Sequence, residues 1–297
     1  MAVFFVFIDG LGIGPDSDQN PLYTEHFSFF EEMAGRKRLT ESAKEIIGSN
    51  AVYKPIDATL GVEGLPQSGT GQVSLFTGLN AAERAGKHFG PYPHSATKEM
   101  LSIHSVVAQL LARGRSFRFM NAYPPIFFRL SSQRDRWSTT TLMCRQQDLP
   151  LHTADDILSG NGITAEITQE IWRERLGIDL PTITESTAAA RMIAVGRQVD
   201  VVLYEYYLTD KAGHAMDHGM AKTAIGRVDA FLGALADGLG AEDLLVVSSD
   251  HGNVEDLGTK SHTMNPVPLI AYGYGAEMFA EATSIMDVVP NILRVID

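Results

Sequence analysis

Leu244-Leu245-Val246-Val247-Ser248-Ser249-Asp250-His251-Gly252-Asn253 is the stretch that decides the fold. Its uninterrupted apolar run is the pattern of a strand covered on both faces, as in the parallel centre of an α/β sheet. The run ends in a carboxylate and an imidazole. A parallel strand that ends this way delivers both side chains to the carboxyl edge of the sheet, where open α/β folds place their ligands. Eleven residues after His251 comes His262-Thr263-Met264-Asn265-Pro266-Val267-Pro268, which sets another imidazole just before a further apolar strand. Asp and His together suit a borderline divalent cation such as zinc or manganese. A metalloenzyme is expected.

Outward from this stretch, strands and helices alternate, which predicts an α/β fold: a doubly wound, mostly parallel sheet with helices on both faces. Strands are expected at 2–8, 116–122, 199–207, 244–248 and 267–272. Helices are expected at 72–77, 97–113, 186–196, 219–239 and 285–295. Between 86 and 181 the pattern weakens into Pro clusters, many Arg and both Trp residues. The expected organisation is therefore a metal-binding catalytic core of 1–85 and 182–297, interrupted by a small inserted cap at 86–181.

Composition narrows the function classes. The 297 residues are 44% hydrophobic and 20% charged, ordinary for a globular protein, and the formal charge is -12. Such an acidic surface argues against nucleic acid and anionic membranes as partners. A small anionic substrate stays compatible, because a bound cation reverses the field locally. Cys144 is the single cysteine, so no internal disulfide forms and it reads as a small core hydrophobe. The first strand lacks a basic leader, and no run approaches the ~20 apolar residues that span a bilayer. A cytoplasmic location is the expectation.

Several polar groups fall at or just beyond strand ends: Asp9, Asp210 and His214, Asp250 and His251, and His262. Beside them, Gln67-Ser68-Gly69-Thr70-Gly71-Gln72 is a Gly-rich loop opening a helix, where amide N–H groups and the helix dipole favour an anion. Singly, each has a plain alternative. Asp9 can cap a turn, Asp210 and His214 can pair along a helix, and Ser68 can be a cap. Together, six ligand side chains and one hydroxyl are what two neighbouring divalent ions need.

These motifs resemble those of the alkaline phosphatase superfamily, nearest its cofactor-independent phosphoglycerate mutase and phosphopentomutase branch. Asp9-Gly10 resembles the family's first metal aspartate. Asp210-x-x-x-His214, Asp250-His251-Gly252-Asn253 and His262-Thr263-x-Asn265-Pro266-Val267-Pro268 resemble the later metal motifs, in the family's order. Ser68 precedes Gly71 by three residues and Gly78 by ten, the spacing of the nucleophile motif. The resemblance covers residues 1–85 and 182–297. It implies one ion held by Asp210, His214 and His262, and another held by Asp9, Asp250, His251 and the Ser68 oxygen. It also implies that Ser68 attacks phosphorus to form a phosphoserine, with Thr70 as the rival nucleophile. Manganese or zinc is favoured by the imidazoles, with magnesium third.

This chain departs from the mutases in carrying Gly71-Gln72 where they have Gly-His, which makes Gln72 a candidate substrate contact. Its middle segment is far shorter than their phosphotransfer domain. The expected function is thus a phosphatase or phosphoesterase acting on a small phosphorylated metabolite. The alternative is a phosphomutase on a sugar or glycerate phosphate. A catalytically inactive metal-binding scaffold is a reading of another class, against which the intact Ser68 argues. In the cap, Arg129, Arg134 and Arg136 are candidate phosphate contacts near His88 and His94. Trp137 and Trp172 read as cap packing, and residues 123–128 as pocket lining or cap core.

Overall fold

The apolar runs become the middle of a seven-stranded sheet in the computed structural model, which describes residues 1–131 and 136–297. The strands are β1 (Val3–Ile8), β2 (Ile46–Ile47), β3 (Ala51–Ile56), β4 (Phe117–Phe119), β5 (Val201–Tyr206), β6 (Leu244–Ser248) and β7 (Val267–Gly273). They lie in the order β2-β3-β7-β6-β1-β5-β4. β1 pairs in parallel with both β5 and β6, and β4 pairs in parallel with β5. β7 is antiparallel to β6, β3 to β7 and β2 to β3. The parallel centre matches the expected α/β class, but the other side is antiparallel throughout, so the sheet is mixed rather than mostly parallel. That reversal serves the site. Because β7 runs the opposite way, the loop preceding it reaches the carboxyl edge of β1, β5 and β6.

Side chains alternate across β1 and divide the core in two. Phe4, Val6 and Ile8 pack with Tyr204, Tyr206 and Val247 under the helices Glu185–Gly196 and His218–Asp237. Val3, Phe5 and Phe7 pack with Leu203, Val246 and the helices Ser68–Thr77 and Val288–Ile296. Burying each such aromatic or aliphatic side chain contributes about 1.5–3 kcal/mol. Among the described residues, no helix is long and apolar enough to cross a membrane.

The boundary expected at residue 86 is corrected. β4 is the edge strand of the main sheet, and helices Lys98–His104 and Val106–Ala112 bury Leu101, Val106, Val107 and Leu110 in the second core. Residues 98–119 thus build the core, because their apolar spacing of three and four makes a helix face that the sheet covers. Farther on, Ala122, Ile157, Trp172 and Leu180 form a small separate cluster. The single helix expected at 97–113 is broken at Ser105, whose Oγ accepts from the Ala108 amide and caps the second half. The helix expected from residue 72 starts earlier, at Ser68.

Phe76 joins the Ser68 helix to the sheet. Its ring meets Phe7 edge-on at 5.3 Å and Phe5 at 5.9 Å. Phe76→Ala is expected to cost about 3–5 kcal/mol, read as a lower urea midpoint at unchanged m-value. A loss under about 1 kcal/mol would show that the helix does not depend on this contact.

Candidate metal centre

Each polar group at the sheet edge is placed by its element. Asp9 follows β1, its amide donating to the Tyr206 carbonyl at 2.8 Å, while the Thr209 hydroxyl donates to its carbonyl at 2.6 Å. Gly10 has φ +70°, and a Cβ there would stand 2.8 Å from Asp210 Cβ, so glycine lets this turn lie against Asp210. Asp210 and His214 stand one turn apart on the helix Leu208–Ala215. Asp250 and His251 follow β6. Ser68 opens its helix, which sits so close to the strand end that a Cβ on Gly71 would come within 2.8 Å of the Asp250 carbonyl oxygen.

The side chains converge. Ser68 Oγ lies 3.0 Å from His251 Nε2. That nitrogen is also 3.4 Å from Asp9 Oδ1 and 3.5 Å from Asp250 Oδ2. Asp210 faces His214 Nε2 at 3.4 Å and His262 Nε2 at 3.6 Å. Asp210, His251 and His262 form one group whose ligand atoms lie within 4.8 Å of one another, and Asp9, Asp250 and His251 form another. All seven residues expected as ligands therefore meet in one place.

The imidazoles are set in a single tautomer. Nδ1–H of His262 donates to the Pro66 carbonyl at 2.7 Å, that of His214 to Lys260 at 2.8 Å and that of His251 to Gly252 at 3.3 Å. The three Nε2 lone pairs consequently point inward, and those of His214 and His262 face each other at 3.3 Å. Asp9 Oδ1 and Asp250 Oδ2 are buried and without a hydrogen-bond donor. Lone pairs and carboxylate oxygens crowded in this way repel one another unless a cation or a proton lies between them. The titrations carry the same strain. Burial, followed by the Asp250 and Asp210 charges, holds the Asp9 carboxyl well above its usual range. Burial and then Asp210 push Asp250 up to about 7. Burial lowers His251 and His262 to about 4, so both imidazoles are neutral near pH 7. This donor set fits divalent cations.

Several other residues fall where the sequence reading did not expect them. Gln72 is buried and donates to Asp9 Oδ2 at 3.2 Å, so it steadies a carboxylate of the centre. Thr70 is turned to the 86–94 loop, donating to Phe89 and Gln67 carbonyls and accepting from the Phe89 amide. That leaves Ser68 as the hydroxyl at the carboxylates. Arg129 is exposed, Arg136 is exposed and lines the cavity beside the centre, and Arg134 lies outside the described residues. His88 contacts the Val62 carbonyl, and His94 caps a short turn.

Glu255 was missed. It is buried and takes the Gly12 and Asn253 amides at 3.0 and 2.7 Å, the Asn265 amide group at 3.1 Å and the Thr263 hydroxyl. One carboxylate thus ties together the loops after β1 and β6 and the loop before β7. Its signal was its place two residues beyond Asn253, whose own side chain donates to Asp210 Oδ1 at 2.6 Å. Glu205, on β5, was also missed because it sits inside an apolar run. It accepts from Thr140 Oγ1 at 2.5 Å, and burial pushes it up to about 7.

Comparison with known proteins agrees with this geometry. Residues 179–297 match the sequence profile of the Metalloenzyme superfamily. A 2,3-bisphosphoglycerate-independent phosphoglycerate mutase of Halobacterium salinarum is 31% identical over 134 residues, 41% of this chain and 25% of that relative. The match thus spans about a quarter of the length of such curated relatives. In fold, a cold-active alkaline phosphatase from a psychrophilic Shewanella species superposes with TM-score 0.58 at 11% identity, over 100% of both chains. The phosphoglycerate mutase of Leishmania mexicana does so with TM-score 0.54 at 12% identity, over 99% of this chain and 95% of that one. The carboxyl-terminal part thus matches the Metalloenzyme superfamily in sequence, and the whole chain shares the fold of these phosphatases and mutases.

Proposed function

We propose that this protein is a two-metal-dependent phosphoryl-transfer enzyme, a phosphatase or phosphoesterase that works through a phosphoserine at Ser68. The observation that carries the reading is the Ser68 hydroxyl, 3.0 Å from His251 Nε2 and surrounded by ligand-type side chains at a helix N-terminus. A structural metal site has no use for a hydroxyl there. Asp210, His214 and His262 would hold one ion, and Asp9, Asp250, His251 and Ser68 the other. The imidazole share favours manganese or zinc over magnesium.

When bound, the ions supply charge neutralisation for the phosphate and lower the pKa of the serine hydroxyl. The chain supplies the remainder. The helix dipole attracts the anionic group, and the first turn of the Ser68–Thr77 helix holds the Ser68 oxygen at the centre. Ser68 Oγ forms a bond to phosphorus as the bond to the ester oxygen breaks, and the alcohol leaves with a proton. Water then adds to phosphorus, the serine oxygen departs as the hydroxyl, and inorganic phosphate is released. A phosphomutase is the second reading, favoured by the relatives named as phosphoglycerate mutases. There the acceptor would be a substrate hydroxyl in place of water.

Protein loaded with manganese or zinc is expected to release phosphate from small monoesters, and Ser68→Ala to lower kcat by at least ~1,000-fold. Turnover unchanged by Ser68→Ala would remove the phosphoserine. Isomerisation of a phosphate ester without release would establish the mutase. A second expectation concerns pH. In the metal-free protein the raised Asp9 and Asp250 carboxyls stabilise the fold at low pH and lose that contribution as pH rises through about 7. The lowered His251 and His262 act oppositely, stabilising above their ordinary pKa and losing it as pH falls through about 4. Protons on the carboxyls compete with cations. Saturating manganese should therefore raise Tm by roughly 5–10 °C at about pH 8 and by less at about pH 5.5. Asp250→Asn should narrow the difference, and equal shifts at both pH values in the unaltered protein would contradict the ligand assignment.

A further inference from the structure

Beside the metal centre opens a cavity of about 930 Å³. Three positions tie it to Ser68. Glu205 stands in its wall and its charge reaches Asp9. Lys211 follows Asp210 on the same helix. Tyr92 also lines it, and its backbone carbonyl presses against Gly69, next to Ser68. The volume is near the top of the ~300–1,000 Å³ typical of small-molecule sites.

Among the described residues, seven aromatic residues line this space, Tyr123, Phe127, Trp137 and Trp172 among them. Tyr123 and Phe127 stack at 4.2 Å with their planes 27° apart, and Trp137 meets Phe127 edge-on at 5.8 Å. Trp137 thus lines the cavity, while Trp172 packs as expected with Ala122, Ile157 and Leu180 and contributes to the same wall. A three-carbon alcohol such as glycerol or glycerate would leave most of the volume to water and touch few of the rings. Polar heads interrupt the aromatic wall, among them the buried Glu166 carboxylate and the Arg175 guanidinium. A ring with polar edges can add hydrogen bonds to these groups, which a hydrocarbon ring cannot.

We propose that the cavity receives the alcohol half of the phosphate ester and that this half is a heteroaromatic group of nucleoside size. The proposal rests on the phosphoesterase reading for the substrate's other half. Flat rings enter between aromatic walls by stacking, as bases do on aromatic side chains of nucleic-acid-binding proteins.

Trp137 and Trp172 are the only tryptophans in the sequence, so their fluorescence reports occupancy of the cavity without turnover. Adenosine and adenosine 5′-monophosphate would be titrated into metal-free protein, with glycerol and 3-phosphoglycerate as controls. Saturable quenching by the adenosine compounds alone is expected. Phe127→Ala should weaken it at least ~10-fold and Phe127→Tyr should restore it, with thermal melts confirming that both variants fold. In metal-loaded protein, kcat/KM for adenosine 5′-monophosphate should exceed that for glycerol 3-phosphate by about 100-fold, and Phe127→Ala should lower only the former. Absence of saturable quenching, or equal kcat/KM for the two esters, would overturn the proposal. If metal- and Ser68-dependent release from glycerol 3-phosphate persisted in that case, the phosphoesterase reading would stand. Quenching without metal-dependent release from any ester would keep the nucleoside site and remove that reading.

Discussion

Asp9, Asp210 and Asp250 are brought together at one sheet edge, with the lone pairs of three imidazoles aimed among them. Like charges this close in a buried space cost free energy that only a counter-charge recovers. Much of the local architecture maintains this crowding. Glycine at 10 and 71 admits the close approaches, backbone carbonyls fix the tautomers, and Glu255 ties together the loops that carry the ligands. A fold built for stability alone would neutralise these groups with partners of its own. The protein has concentrated its unfavourable electrostatics where a reaction on an anion would use them.

The sequence made the ligand-bearing edge legible because the physics there is local. An apolar run ending in Asp-His reads as a buried strand with ligands at its tip, whichever strand lies beside it. The same holds for Asp9 after β1 and for the Ser68 loop. Pairing between strands was not legible. The reversal of β7 leaves no mark in its own alternation, since a strand buried on both faces looks alike in either direction. The break at Ser105 was hidden because the apolar spacing continues through it while the hydroxyl caps the second helix. Glu205 was overlooked for the opposite reason, as a carboxylate in an apolar run is recognisable only when its surroundings in space are known.

The middle of the chain shows how composition can mislead. Its Pro clusters and basic residues suggested a separate cap, yet its first part supplies an edge strand and two helices of the core. Aromatic residues at 123–128 read equally as pocket lining or packing because a ring lining a cavity and a ring filling a core follow the same sequence rules. Only the arrangement of Tyr123, Phe127 and Trp137 around open space separates the two roles.

Asp9 and Asp250 are 241 residues apart in the chain and lie side by side in the fold, with Ser68, Asp210 and His262 drawn from points between and beyond them. Contacts this remote in sequence close late, after the intervening elements have been ordered. On the ribosome, the segment carrying Asp9 and Ser68 emerges long before its partners. No partly synthesised chain can assemble the full set of ligands, so a cation captured early would meet only fragments of the centre. The full set of ligands exists only once His262 has left the exit tunnel and β7 has turned back along β6.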